Sequence, residues 1–164
     1  MSMLHYFANP SRFQKLARII WPLCAVLSLA LFGFGLHAAL VTSPPDYQQG
    51  ETVRIMYIHV PAAWWALALY TIMAIAALTA FVWKHTLADL FCKAAAPVGA
   101  TLTALCLVTG CLWGKPMWGA WWVWDARLTS MLILFFLYLG YMALRDAFED
   151  ESRGEKASQI LLVV

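Results

Sequence analysis

The most unusual stretch of this sequence is a tryptophan-rich segment that runs from Trp113 to Arg127. Five of the nine tryptophans in the chain lie in it, namely Trp113, Trp118, Trp121, Trp122 and Trp124. Indole rings give broad, rigid faces that stack on planar ring systems. An aromatic belt at a membrane surface is the alternative, but such belts usually supply about one or two tryptophans per helix end. The cluster therefore favours a platform for a large flat ligand, and a porphyrin is such a ligand.

Three cations could orient the two carboxylates that a porphyrin such as haem carries on one edge. They are Arg54, Lys115 and Arg127, and charged donors of this kind bind carboxylates strongly. The alternative for each is a simple flanking charge at a helix end. For Lys115 that alternative is the better interpretation.

His59 is the candidate ligand for haem iron. It lies near the start of an apolar run, where ionisable residues are uncommon and usually functional. Neutral imidazole is a common axial ligand, and Pro61 would bend the helix and expose the ring. From this residue alone, a histidine hydrogen-bonded to a neighbouring helix is the somewhat better interpretation. His37 is a weaker candidate for a second ligand.

Asp125 immediately precedes an apolar run and predicts a helix N-cap, because a carboxylate there accepts hydrogen bonds from free N–H groups. Pairing with Arg127 or Arg54 is the alternative, and we expect no general base. The sequence contains no P-loop and no hydrolase signature, so we expect a binding protein rather than an enzyme. The cysteines form no Cys-x-x-Cys pair, which disfavours zinc, covalent haem attachment and a disulfide.

The elements that position these residues are predicted to be transmembrane helices. The chain of 164 residues is 63% hydrophobic and 12% charged, against about half and a quarter in soluble domains. Its net charge of +2 is too small to indicate nucleic acid. We expect an all-α polytopic bundle that forms a single membrane domain, 1–164. The predicted spans lie at about 19–41, 55–83, 94–113 and 128–144, with the start of a fifth at 157–164 and loops at 42–54 and 114–127.

The basic residues predict the orientation of these spans, because they concentrate in cytoplasmic segments. Eight of the eleven lie in the amino-terminal segment, the 84–93 connector and the 145–156 segment, and three lie in the two loops. We therefore expect the amino terminus and both of those segments in the cytoplasm. The two loops and His59 then share the outer side.

The two loops also carry a family resemblance. The segment from Trp113 reads Trp-Gly-Lys-Pro-Met-Trp-Gly-Ala-Trp-Trp-Val-Trp-Asp-Ala-Arg-Leu-Thr-Ser. The first loop reads Pro-Asp-Tyr-Gln-Gln-Gly and is followed, from Arg54, by Arg-Ile-Met-Tyr-Ile-His-Val-Pro-Ala-Ala-Trp. The first motif resembles the WWD signature of haem-handling proteins. Together the motifs resemble the haem exporter protein C family of bacterial cytochrome c maturation, from about Trp21 to the end of the chain.

The resemblance implies a six-span protein of the bacterial inner membrane with both termini cytoplasmic. It implies that haem b is bound at the periplasmic face and delivered to a periplasmic haem chaperone, the E protein of the same system. The ABC transporter components and the small D protein of that system are further implied partners, beside the lipid bilayer. The family's axial histidine corresponds to His59. Its haem and chaperone platform corresponds to Trp113, Trp118, Trp122, Trp124 and Asp125, and its chaperone contacts correspond to Asp46, Gln49 and Arg54.

In one respect the sequence departs from the family pattern. The family's second axial histidine lies between spans five and six, whereas this sequence stops at Val164, within the expected fifth span. We therefore expect a truncated chain that supplies half of the iron coordination. Two other functions stay open: a membrane docking subunit whose aromatic loop only seats a partner or anchors in lipid, and a component of a transporter or channel.

Overall fold

The structure, a computed structural model, describes residues 10–163. Residues 1–9, where the predicted cytoplasmic amino terminus begins, and Val164 lie outside that range. The helices are α1 (Pro10–His37), α2 (Val53–Trp83), α3 (Thr86–Trp118), α4 (Ala126–Asp146) and α5 (Glu151–Val163). Among the described residues there is no strand, and the predicted all-α class is confirmed. Four helical segments are long and apolar enough to cross a membrane, so the chain is a multi-pass membrane protein.

The chain divides into two compact units, and the first extends to Pro44. It consists of α1 and a π-helical turn, Ala38–Thr42, that follows it directly. Apolar side chains are exposed around α1, including Leu29 and Phe34. A helix that is hydrophobic on all sides is suited to lipid rather than to water.

The second unit begins at Pro45 and contains the other four helices. Helix α3 packs against α2 and α4, and α5 packs against α4 and α2. Much of the buried core between them consists of alanines, including Ala66, Ala77 and Ala96. Small residues at helix contacts let backbones approach closely, which drives helix association in a membrane where apolar burial does not.

Tyr138 fixes the middle of this unit. Its ring is fully buried and occupies the space beside Gly99 that any larger residue would fill. The hydroxyl donates a hydrogen bond to the backbone oxygen of Ala66 at 2.8 Å, and the ring meets Tyr70 edge to face at 5.3 Å. One side chain of α4 thereby joins α2 and α3.

Helix α3 begins at Thr86, inside the segment that its charges predicted to be a connector. The ring Nδ1 of His85 caps it by accepting a hydrogen bond from the N–H of Ala88 at 3.3 Å. Asp89 does not end the helix because it is buried as an ion pair with Arg145, with 2.6 Å between nitrogen and oxygen. Pro97, expected in the first turn, therefore lies in the helix interior. Helix α5 likewise begins earlier than the predicted fifth span.

The other end of α3 corrects a second expectation. Gly114 and Pro116 were expected to stop the helix, but α3 continues through both to Trp118. Proline already has a helical φ and costs the helix a hydrogen bond rather than its continuity. Gly114 suits a crowded position, since a Cβ there would lie 3.3 Å from the Trp118 ring. The helix ends at Gly119, whose φ of +76° is the left-handed conformation typical of a C-terminal glycine.

Candidate functional site

The tryptophan segment is held between the end of α3 and the start of α4. Asp125 caps α4, as predicted: its Oδ1 accepts a hydrogen bond from the N–H of Leu128 at 2.9 Å. Its Oδ2 also pairs with the Arg127 guanidinium at 2.8 Å, so the capping and ion-pair interpretations are both correct. The Leu128 N–H and the Arg127 guanidinium hold the pKa of Asp125 below its ordinary value. The carboxylate is therefore ionised at neutral pH.

The five tryptophans form two edge-to-face pairs and one separate ring. Trp113 and Trp118, both on α3, have ring centroids 5.0 Å apart. Trp122 and Trp124, both in the loop, have centroids 5.3 Å apart. Trp118, Trp121 and Trp124 are exposed. The segment therefore presents apolar ring surface to its surroundings, as a platform for a flat ligand requires.

Each of the three candidate cations already has a partner in the chain. The Lys115 ammonium donates to the backbone oxygen of Gly119 at 3.1 Å, which agrees with the helix-end interpretation. Arg54 pairs with Glu51 at 2.8 Å. The Arg127 guanidinium pairs with Asp125 and also lies over the Trp118 ring, 5.2 Å from its centroid. Arg127 thus joins the charged and aromatic parts of the segment, as Lys115 does over the Trp121 ring at 5.9 Å, and the Arg127 side chain is 75% exposed.

The first loop of the second unit is a compact turn closed by Asp46. Its Oδ1 accepts hydrogen bonds from the N–H groups of Gln48 and Gln49 at 2.9 and 2.8 Å. The backbones of Asp46 and Gly50 bond to each other in both directions. Gly50 has a φ of +58°, which glycine adopts at little cost. Asp46 therefore has a full structural role, and Tyr47 is left 90% exposed at the tip.

Gln49 connects this loop to the tryptophan segment. Its side-chain oxygen accepts a hydrogen bond from the indole N–H of Trp113 at 2.9 Å. The two residues are far apart in sequence, so the pairing depends on α2 and α3 lying side by side. The residues expected to contact a chaperone and those expected to hold haem are thus brought together at this one point.

His59 faces α3, where Nδ1 makes its closest hydrogen bonds. Nδ1 lies 3.0 Å from the backbone oxygen of Cys106 and 3.0 Å from the Thr109 hydroxyl oxygen. A carbonyl oxygen only accepts hydrogen bonds, so Nδ1 carries the proton and donates. The Thr109 hydroxyl donates a hydrogen bond to the Leu105 oxygen at 2.6 Å. Its oxygen can therefore accept a hydrogen bond from Nδ1. In neutral His59, Nε2 then carries the lone pair that could bind a ligand, and the Cys106 thiol lies 3.9 Å from it as a weak donor.

Gly110 makes room for the His59 ring. A Cβ at this position would lie 3.2 Å from the ring Cε1, tighter than ordinary contact. Trp113 lies three residues further along α3, which is about 4.5 Å of helix rise. His59 and the tryptophan segment therefore lie near the same end of the second unit. Sequence reasoning identified His59 but missed Thr109 and Gly110, since neither residue type is distinctive within an apolar run.

One cysteine belongs to this site, since the Cys106 Sγ lies 3.8 and 3.9 Å from the two ring nitrogens of His59. His85 caps α3 at its other end, and His37 belongs to the first unit, beside Thr42. All four cysteines fall within residues 10–163 and are free thiols. In that range no group of three or more His, Cys, Asp or Glu side chains could hold a metal ion.

Comparison with known proteins gives the family. A family model described as "Heme exporter protein C" matches residues 3–164. The heme exporter protein C of Haemophilus influenzae is 52% identical over 160 residues, which cover 98% of this chain and 65% of that protein. The one from Bradyrhizobium diazoefficiens is 52% identical over 96% of this chain and 59% of its own length. The one from Escherichia coli K12 is 46% identical over 98% of this chain and 66% of its own length.

The chain therefore spans about 59 to 66% of the length of these curated relatives. The match nevertheless covers α1 to α5, the first loop and the whole tryptophan segment. On this evidence the chain belongs to the heme exporter protein C family.

Proposed function

We propose that this protein binds haem b as cargo at the periplasmic face of the bacterial inner membrane and delivers it to a periplasmic haem chaperone during cytochrome c maturation. The observation that carries the proposal is the hydrogen bond from His59 Nδ1 to the Cys106 oxygen. Metal-binding histidines commonly donate their other ring N–H to a carbonyl, which fixes the ring and the tautomer. His59 would bind the haem iron through Nε2 as one axial ligand.

The exposed rings of Trp118, Trp121 and Trp124 would form the surface that receives the porphyrin. Stacking and apolar contact are the contributions expected from them. Trp122 adds a polar one: its indole nitrogen is buried and has no hydrogen-bond acceptor among residues 10–163. That N–H is available to an oxygen of the cargo.

The haem carboxylates would be met by Arg127, an exposed cation of the segment. Its guanidinium has five donors, of which Asp125 engages two. The others remain available for a second carboxylate. Arg54, which pairs with Glu51, is assigned to the chaperone contact together with Asp46 and Gln49.

The chaperone would approach over the first loop, whose exposed tip and link to Trp113 place it next to the cargo. The ABC transporter components and the small D protein of the maturation system would be further membrane partners. In this proposal the protein presents and transfers haem, and its own side chains undergo no covalent change.

Absorbance of the purified full-length protein tests the proposal. We expect a haem Soret band that is shifted or lost in His59→Ala, because the variant lacks the axial nitrogen. His85→Ala, at the far end of α2 and α3, is the matched control and should keep the parent spectrum. A colourless protein from haem-replete cells, or a spectrum that His59→Ala leaves unchanged, would favour a docking subunit or a channel component instead.

A further inference from the structure

A cavity of about 550 Å³ with both polar and apolar walls lies at the end of the second unit away from His59. It opens between the last turn of α2, the first turn of α3 and the start of α5. Lys84, Thr86, Ser152 and Lys156 line it together with Asp89 and Glu155. Helix α3 has 33 residues, or about 50 Å of rise, so this cavity is separate from the tryptophan segment.

The charged side chains around the cavity leave a surplus of one positive charge. Both oxygens of Asp89 are occupied, Oδ1 by Arg145 and Gln159 and Oδ2 by Arg145. Glu155 also faces the Arg145 guanidinium, at 3.5 Å. Within the part of the chain that the structure describes, neither Lys84 nor Lys156 forms an ion pair. Three cations thus face two carboxylates, and the surplus positive charge lies on the cavity wall.

The cavity is apolar on one side and polar on the other. Ala80 and Phe81, from the last turns of a membrane-spanning helix, form the apolar side. Trp83, which ends that helix, is exposed, as tryptophans at the level of lipid headgroups are. Basic pockets between spans at this level bind the phosphate groups of anionic lipids.

We propose that this cavity binds the phosphate of an anionic phospholipid. The phosphate would lie between the Lys84 and Lys156 ammonium groups, with the hydroxyls of Thr86 and Ser152 as further donors. The first carbons of the acyl chains would lie against Ala80 and Phe81. Free phosphate carries the same kind of charge but would make no apolar contact with Ala80 and Phe81. We therefore assign the cavity to a lipid. This proposal does not depend on haem binding.

Titration of the delipidated full chain with phosphatidylglycerol, followed by native mass spectrometry, tests it. We expect Lys84→Gln plus Lys156→Gln to weaken lipid binding by about tenfold or more, since two charge-assisted contacts are lost. The matched control, Lys93→Gln plus Arg153→Gln, removes the same charge at the same end of the bundle but outside the cavity, and should bind like the parent. If the double variant does not fold, Lys156→Gln alone, at an exposed site on α5, should still weaken binding.

Three results would overturn the proposal. One is equal loss of lipid in the cavity and control variants, which would mean a general charge effect. Another is equally tight binding of phosphatidylcholine, which has no net charge for the lysines to recognise. The third is displacement of the lipid by millimolar inorganic phosphate, which would assign the cavity to a free anion.

Discussion

The His59 side chain belongs to α2, but its hydrogen bonds are to residues of α3. These bonds determine which ring nitrogen could bind iron. Nδ1 carries the proton and donates it in a hydrogen bond to the Cys106 oxygen, with the Thr109 hydroxyl oxygen as a second acceptor. A Nδ1–H that donates to a carbonyl makes Nε2 a stronger base and a better iron ligand. The chemistry proposed for α2 therefore depends on α3.

Thr109 offers a test of that dependence. Thr109→Val keeps the shape of the side chain but removes the hydroxyl acceptor, so the ring should be less well oriented. We expect haem affinity to fall by about tenfold, the low end for loss of a partner to a metal-binding histidine, because the Cys106 oxygen remains. The electron paramagnetic resonance signal of the ferric form should shift as well.

Thr109→Ser is the control for this change, since it restores the hydroxyl and should restore both affinity and spectrum. A merely structural role for Thr109 would alter protein yield but not the spectrum of the haem that remains. Parent-like affinity and resonance in Thr109→Val would rule out a positioning role.

At the scale of elements, α3 is longer than the membrane it is expected to cross. Its 33 residues rise by about 50 Å, whereas a hydrocarbon core is about 30 Å thick. The ends must therefore project or the helix must tilt. Projection at the Trp118 end would carry the aromatic rings to the membrane surface, where the proposed periplasmic chaperone could reach them.

The loop after α3 gives a second prediction. Trp122→Ala plus Trp124→Ala removes one edge-to-face pair and should lower haem retention several-fold, through lost ring contact. Membrane insertion should be unchanged, because neither residue lies in a span. Haem content per protein, measured by the pyridine haemochrome method, is the readout.

The control for the loop variant is Trp21→Ala plus Trp83→Ala, which removes two exposed indoles elsewhere. It should retain haem like the parent. Equal haem content in the loop variant and the parent would mean that the pair is only a membrane belt.

The buried pair of Asp89 and Arg145 gives a third prediction, on how α3, α4 and α5 stay together. Asp89→Asn leaves the Arg145 charge without its carboxylate and should destabilise the protein by about 3 kcal/mol, the low end for such a loss because the site adjoins a cavity. Unfolding in detergent, followed by circular dichroism, measures this.

Replacing both partners, as Asp89→Leu plus Arg145→Met, should recover most of that stability, since no buried charge is left unpaired. A double variant that is as unstable as Asp89→Asn would show that the hydrogen bonds to Gln159 and Tyr141, rather than the charge, hold the three helices.

What the sequence predicts well are features set by nearby residues. Asp125 was expected to cap α4, and it does, because a cap depends on the next three residues. The Asp89–Arg145 pair and the Gln49–Trp113 bond could not be foreseen, since each joins residues of different helices or loops. The same limit applies to His59. Its place in an apolar run suggests an iron ligand, but the choice of Nε2 over Nδ1 depends on the α3 residues that the ring faces, and the sequence does not show them.

At the scale of the whole molecule, three spans separate the first loop from the segment after α4. Tyr47 precedes α2 and Glu149 follows α4, so an odd number of crossings puts them on opposite faces of a membrane. The distribution of basic residues predicts that Tyr47 is periplasmic. The charge pattern and the number of spans together predict that Tyr47 is periplasmic and Glu149 cytoplasmic.

Labelling of an introduced cysteine in intact cells with a membrane-impermeant maleimide measures this, with the buried Cys92 and Cys106 left in place. Tyr47→Cys should react and Glu149→Cys should react only after lysis, in a background where Cys24 and Cys111 are replaced by Ser. Reaction of Glu149→Cys but not Tyr47→Cys in intact cells would invert the topology. Reaction of both would contradict the three crossings.

The hydrogen bond between Gln49 and Trp113 has a thermodynamic consequence for transfer. A partner that moves the Gln49 side chain on docking would break its hydrogen bond with the Trp113 N–H, and the first loop and the aromatic surface would then respond together. By linkage, if docking weakens the hold on the cargo, then the cargo weakens docking by the same factor. The haem-loaded protein would then bind the chaperone with reduced affinity. After haem transfer, the empty protein would bind the chaperone more tightly.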